Sequence, residues 1–223
     1  MGTITRTFAN NITTSGVFKP TAFNNASFDN VTAVPSGAVE GGNMVLLSTQ
    51  TASASSSISF TSGITSTYKE YMFIFNNIHP ASDHTDGRLT FNLSTDGGST
   101  YNVTKTSTFF EASHNESGSA TGFAYEDGFD LAQSTGYQSL SRSISNDNDH
   151  NLAGFLHLFD PSNTTFVKHF ISTINTNFAG TPDYSAETFM AGYANTTSAI
   201  NAIDFKCTSG NIDDGTIQMF GIL

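Results

Sequence analysis

Tyr71-Met72-Phe73-Ile74-Phe75 is the stretch that decides the fold. Side chains along an extended chain point to alternate faces, so Tyr71, Phe73 and Phe75 share one side and Met72 and Ile74 the other. A strand apolar on both sides predicts a sheet centre covered on both faces. Arg88-Leu89-Thr90-Phe91-Asn92-Leu93 keeps the period of two with polar residues on its second side, the half-buried pattern of a β-sandwich. Asp96-Gly97-Gly98 follows, and a glycine pair suits a tight reversal with positive φ; this predicts a hairpin over 88–108. Outward from these stretches, alternation marks strands over 44–47, 57–60, 152–159, 166–174, 188–193, 200–205 and 217–222, with another inside 138–144. Turn clusters separate them: Asp160-Pro161-Ser162-Asn163, Gly180-Thr181-Pro182-Asp183 and Ser209-Gly210-Asn211. No window longer than about two turns keeps helical spacing unbroken. The expectation is an all-β, two-sheet antiparallel β-sandwich, jelly-roll-like, of about eight to ten strands.

The first forty residues differ. Val17, Phe18, Phe23, Phe28, Val31 and Val34 stand singly among Asn, Thr, Ser and Gly, and such a segment cannot build its own core. Its composition alone fits a disordered leader. The even spacing of Phe18, Phe23 and Phe28 points instead to an extended N-terminal arm over residues 1–41 that orders against another subunit or a larger assembly. Val17, Phe18, Phe23 and Phe28 are its anchor residues, and residues 42–223 form the sandwich.

The chain has 223 residues and a net charge of −11, from eight Lys plus Arg against nineteen Asp plus Glu. Charged residues are 12% of the chain, about half the usual share, while Phe alone occurs 20 times. No stretch gathers the bases into a patch, which argues against nucleic acid and against an anionic membrane as partner. One cysteine, Cys207, excludes an intrachain disulfide and reads as a small buried apolar residue. The opening Met1-Gly2-Thr3-Ile4-Thr5-Arg6-Thr7-Phe8 lacks the apolar run of a signal peptide, and no stretch approaches the roughly eighteen apolar residues of a membrane helix; the expectation is a soluble protein made in a cytoplasm.

Candidate chemistry sits in loops. His79, Asp83, His84 and Asp86 form one acidic cluster, Asn146 to His150 a second, Asp213 and Asp214 a third. Calcium takes six to eight oxygens, and Asp147 and Asp149 are the better candidates for a structural calcium, although neither loop has EF-hand spacing. No cofactor is otherwise expected. No nucleophile elbow is present, and a glycosidase pair could be drawn only arbitrarily from Glu111, Glu116, Glu126 and Asp127. His157 and His169 lie within strands, where a satisfied core or interface histidine is the expectation. Loop aromatics Tyr101, Phe123, Tyr125, Phe129, Tyr137 and Tyr184 are candidates for stacking on sugars, with Phe123, Tyr125, Phe129 and Tyr137 as the glycan contacts and 122–136 as the place to look. Trp, the usual stacking platform, is absent.

From Ala33 onward the chain resembles a family of bacteriophage virion proteins of marine and cyanobacterial phages. The resemblance is carried by Met44-Val-Leu-Leu-Ser-Thr-Gln-Thr-Ala-Ser, Ser57-Ile-Ser-Phe-Thr-Ser-Gly-Ile-Thr-Ser-Thr-Tyr-Lys-Glu-Tyr, Phe91-Asn-Leu-Ser-Thr-Asp-Gly-Gly-Ser-Thr-Tyr and Asp214-Gly-Thr-Ile-Gln-Met-Phe-Gly-Ile. It implies a jelly-roll-like module of a tail fibre, head appendage or decoration protein, assembled in the host bacterial cytoplasm and carried on the virion. None of these motifs is catalytic, so no functional residue is carried over. The expected function is an exposed, non-enzymatic virion component whose arm docks on the particle. Its partners would be other virion proteins and copies of itself, most simply as a trimer. A carbohydrate-binding module recognising a host-surface glycan is the alternative, and a polysaccharide depolymerase a third.

Overall fold

The computed structural model describes residues 44–82 and 87–223. The chain divides between Gly41 and Gly42. The arm with Val17, Phe18, Phe23 and Phe28 lies outside the described residues, as do Asp83, His84 and Asp86.

The unit Gly42–Leu223 is an all-β sandwich, and no helix occurs among the described residues. Its strands, numbered in chain order, form two antiparallel sheets. Eight make the larger: β1 (Met44–Thr51), β12 (Ile212–Ile222), β3 (Glu70–Pro80), β8 (Leu152–Phe159), β9 (Lys168–Phe178), β10 (Tyr184–Ala194), β5 (Lys105–Asn115) and β6 (Thr121–Tyr125), in that spatial order. Four make the smaller: β2 (Ile58–Phe60), β11 (Ala202–Cys207), β4 (Leu89–Ser94) and β7 (Gln138–Ser139).

The core lies where the two inner faces meet. Tyr71, Phe73 and Phe75 of β3 are fully buried, as are Leu89, Phe91 and Leu93 of β4. Phe205 of β11 sits 5.4 Å from Phe73 and 5.3 Å from Phe75, ring centre to ring centre, and Phe60 closes the group at 5.5 Å from Phe73. Edge-on packing of this kind contributes about 0.5–1.5 kcal/mol per pair beyond the area buried. Across the core, Phe170 meets Phe91 edge-on at 5.2 Å. Gly192 stands opposite Phe170 on the neighbouring strand, and a Cβ there would lie 2.4 Å from the Thr106 carbonyl and 2.7 Å from the Phe170 ring. Only glycine lets that ring lie flat against the backbone. Cys207 is buried, as its sequence context predicts, and burial pushes its thiol up to about 11.

The hairpin expected over 88–108 does not form. β4 pairs with β11 and β7, whereas β5 pairs with β10 and β6 in the other sheet. The reversal itself is present: Gly97 and Gly98 take φ of 74° and 90°. The Asp96 carboxylate accepts the Thr100 N–H and hydroxyl at 2.9 and 2.7 Å. The Ser94 hydroxyl, donating to that same carboxylate, is the largest of the causes holding Asp96 down at about 2. Beyond the turn the chain crosses between sheets, tied by the Asn92 amide to the Tyr101 carbonyl at 2.7 Å. Lys105 then enters β5 with its ammonium turned inward to Asn92 Oδ1 and the Val103 carbonyl. Turn residues dictate a change of direction; they do not dictate the partner strand.

β6 is a second departure. Its residues lie in a stretch expected to be loop, yet Thr121–Tyr125 pairs with β5 as the outermost strand.

Candidate functional site: the outer face of the eight-stranded sheet

The two sheets treat their outer sides differently. On the four-stranded sheet, Ser59 and Tyr137 both donate to the Asp204 carboxylate, at 2.5 and 2.9 Å. The Lys206 ammonium lies 3.9 Å over the Tyr137 ring, and the Thr90 hydroxyl donates to the Lys206 carbonyl. Polar groups there are matched within the molecule.

The eight-stranded sheet turns apolar groups outward. Its register aligns Leu46, Phe220, Met72, His157, Ile171, Ala191 and Thr108 in one transverse row across seven strands. The next row holds Thr49, Gln218, Ile74, Phe155, Thr173, Phe189, Phe110 and Tyr125. Neither row contains Asp, Glu, Lys or Arg. Phe155 is 38% exposed, Ile171 48%, Leu46 51% and Phe123 75%. Met72 and Ile74, expected beneath a second layer, are half-buried by their neighbours, and no strand among the described residues covers them.

Rings on this face pack against one another. Phe110 stacks on Phe189 at 5.0 Å and tilts against Phe123 at 5.7 Å. His157 stacks on Phe159 and meets Phe155 edge-on, while its Nδ1 engages the Glu70 carboxylate from the adjacent strand. Glu70, in the row flanking the face on one side, is thus paired with an imidazole, while Glu187, beside Phe189 in the row flanking the other side, is exposed. A depression of about 410 Å³ opens where small side chains interrupt the rings. It is floored by Ala191, Gly192 and Thr108 and bounded by His169, Ile171 and Tyr193. At its end Gln133 donates to the Thr106 hydroxyl at 2.7 Å, and Asn195 donates to Gln133 Oε1 at 2.7 Å.

The four glycan candidates do not converge. Phe123 and Tyr125 are exposed on the β6 edge of the outer face, the Tyr125 hydroxyl donating to Asp130. Phe129 packs edge-on against buried Phe109 at 5.3 Å, with the Arg88 guanidinium 4.5 Å over its ring. Tyr137 belongs to the polar side of the other sheet. Of the remaining loop aromatics, Tyr184 stacks on Phe178 at 5.1 Å, and the Tyr101 hydroxyl is buried without a hydrogen-bond partner among the described residues.

Of the four acids considered for sugar cleavage, Glu111 and Glu126 do approach each other, through Arg142. Its guanidinium lies 3.3 Å from Glu111 and 3.9 Å from Glu126. It also sits over the Phe129 and Phe178 rings at 5.8 and 5.4 Å. Burial raises the Glu111 carboxyl, Arg142 opposes that shift, and Glu126 adds to it. Both carboxylates are held by one cation, an ion-pair cluster plugging an end of the sandwich.

Asp147 and Asp149 are exposed in the turn before β8. The Asp147 carboxylate is 3.2 Å from the Ser145 hydroxyl, and the Asp149 carbonyl accepts from the Asn177 amide. Among the described residues no three His, Cys, Asp or Glu side chains gather as a metal-holding group. His79 lies 3.2 Å from the Asp147 carbonyl and 3.7 Å from Asp213. Sequence reasoning missed a Ser–His–Asp connection here: the Ser145 hydroxyl meets His150 Nδ1, and His150 Nε2 lies 3.2 Å from Asp183. In a hydrolase triad serine and acid use the opposite ring nitrogens. Ser145, moreover, is buried and shared with Asp147. The relay pins the turn before β8 to the turn before β10.

The fold and its outer face therefore define a class, an antiparallel β-sandwich with a ring-bearing side that no strand among the described residues covers. Comparison with protein-family models, curated proteins and solved structures gives no match for this chain.

Proposed function

We propose that this chain is a structural component of a bacteriophage virion, a fibre-like or capsid-decorating part that works by making contacts and not by catalysis. One observation carries the proposal. The sandwich matches its polar groups internally on one side and leaves on the other a ring-bearing sheet face whose two central rows carry no charge, which is what an assembly part needs. The virion context comes from the resemblance carried by residues 44–53, 57–71, 91–101 and 214–222. Within this proposal residues 1–41, with Val17, Phe18, Phe23 and Phe28, are the docking arm, and the sandwich contacts other copies and neighbouring virion proteins. Reconstruction of particles from infected cultures tests it. Density for the twelve-stranded sandwich at repeated positions is expected; particles lacking the chain would contradict it.

A second reading, recognition of a host-surface glycan, is favoured by the depression beside Tyr193 and His169 with the Gln133 and Asn195 amides at its end. Sugars stack on rings while amides take their hydroxyls. A glycan array probed with the whole chain tests it: a hit weakened by Tyr193→Ala supports it, and an empty array removes it.

A further inference from the structure

The geometry points to a second copy of this chain as the occupant of the outer face of the eight-stranded sheet, the two copies packing face to face about a two-fold axis. This deepens the structural role proposed above and rests on it for its biological setting, but not for its physical basis.

Area comes first. Eight strands at about 4.8 Å spacing are about 34 Å across. Two full rows with their flanking residues cover roughly 500–700 Å² in projection, close to the about 800 Å² that each partner gives to a standard protein interface. Scattered apolar residues on a monomer surface need no partner, but a ring-bearing band of this size, broken only by uncharged Thr, Gln and His side chains, stands at the upper end of what monomers expose, where patches are often contact sites.

Charge selects the partner. The chain carries −11 overall, so surfaces of two copies repel unless the contact itself lacks charge. The two central rows contain no Asp, Glu, Lys or Arg; of the acids in the rows flanking them, Glu70 is engaged with His157 and Glu187 stands exposed at the margin beside Phe189. Two copies can therefore bring these rows together without placing like charges opposite each other. A basic partner would find no acidic rows to read, and an anionic lipid surface no cations.

Relief completes the case. A two-fold contact uses the same patch on both partners, so that patch must supply both projections and recesses. Phe155 and Ile171 project, at 38% and 48% exposure, beside the depression of about 410 Å³ over Ala191 and Gly192. Burying one sheet face whole against a single identical partner implies two-fold symmetry. The three-fold arrangement expected from the sequence rests on residues 1–41, outside the described residues.

The test is sedimentation equilibrium of the full chain, comparing wild type with Ile171→Lys, with Leu46→Lys on the outermost strand β1, and with Ser56→Lys, exposed and away from this face. The wild type should sediment at twice 23.8 kDa. Ile171→Lys and Leu46→Lys should each weaken association at least tenfold, while Ser56→Lys should leave it unchanged. Thermal melting establishes that each variant folds, and Leu46→Lys decides the matter if Ile171→Lys does not. A monomeric wild type, an odd-numbered oligomer, or face variants that associate as tightly as wild type would overturn the inference. Particles containing the chain alongside a monomeric wild type would sink the pairing and leave the structural role standing. Pairing through this face with particles lacking the chain would do the reverse.

Discussion

Lys105 is the residue that most plainly departs from its surface stereotype. Fully buried, its ammonium loses hydration, and desolvation lowers its pKa from 10.5 to about 7. The unfolded chain keeps that proton up to about 10.5, so between pH 7 and 10.5 the unfolded state binds more protons than the native one. Stability then rises with pH across this window, by at most about 1.4 kcal/mol per pH unit. Cys207 acts oppositely above pH 9, where the unfolded thiol ionises and the buried one, at about 11, does not. Denaturant titrations should thus show stability climbing from pH 7 to 9, and Lys105→Met should flatten that climb. An equal pH slope in both proteins would refute the assignment. Phe205 is the complementary apolar case. Phe205→Ala removes ring contacts with Phe60, Phe73 and Phe75, and urea unfolding should register a loss of about 3–5 kcal/mol. Alternation makes Phe73, Phe75, Phe91 and Phe205 legible as core in the sequence, because period two is a local property. Lys105 was not legible, since its partner Asn92 is reached only after the chain changes sheets.

Elements were legible in proportion to how local their causes are. Leu152–Phe159 was delimited by its own pattern and its flanking turn. The Asp96-Gly97-Gly98 turn was read correctly as a reversal and wrongly as a hairpin, because the ties that carry the chain across, Asn92 to Tyr101 and Lys105 to Asn92, join residues on either side of the turn. β6 escaped notice because Thr121–Tyr125 is short and exposed throughout, and only pairing with β5 defines it. Gly192 carries an element-scale prediction. Because a Cβ there meets the Thr106 carbonyl, Gly192→Ala must push β10 from β5 or tilt Phe170. A loss of roughly 1–3 kcal/mol is expected from such overpacking. Unchanged melting would mean that the strands yield at no cost.

At the scale of the whole molecule, the outer face is a product of register. No single strand reads as an interface: Ile171 alone, or Phe155 alone, is an ordinary exposed hydrophobe. Alignment of Leu46, Phe220, Met72, His157 and Ile171 across five strands makes the band, and strand order is not written in any local pattern. Sequence reasoning therefore reached the sandwich and its aromatic richness; it placed its subunit contacts in residues 1–41, outside the described residues, and its glycan contacts in loops. It singled out Phe123 and Tyr125, which do border the face, beside Phe129 and Tyr137, which do not.

The most direct test uses the methionines as reporters. Met44 and Met72 lie on the outer face, whereas Met190 and Met219 are buried in the core. Oxidative footprinting of the full chain across a range of protein concentrations should find Met44 and Met72 increasingly protected as concentration rises, with Met190 and Met219 unreactive throughout. Labelling of Met44 and Met72 that stays constant at every concentration would contradict self-association through this face.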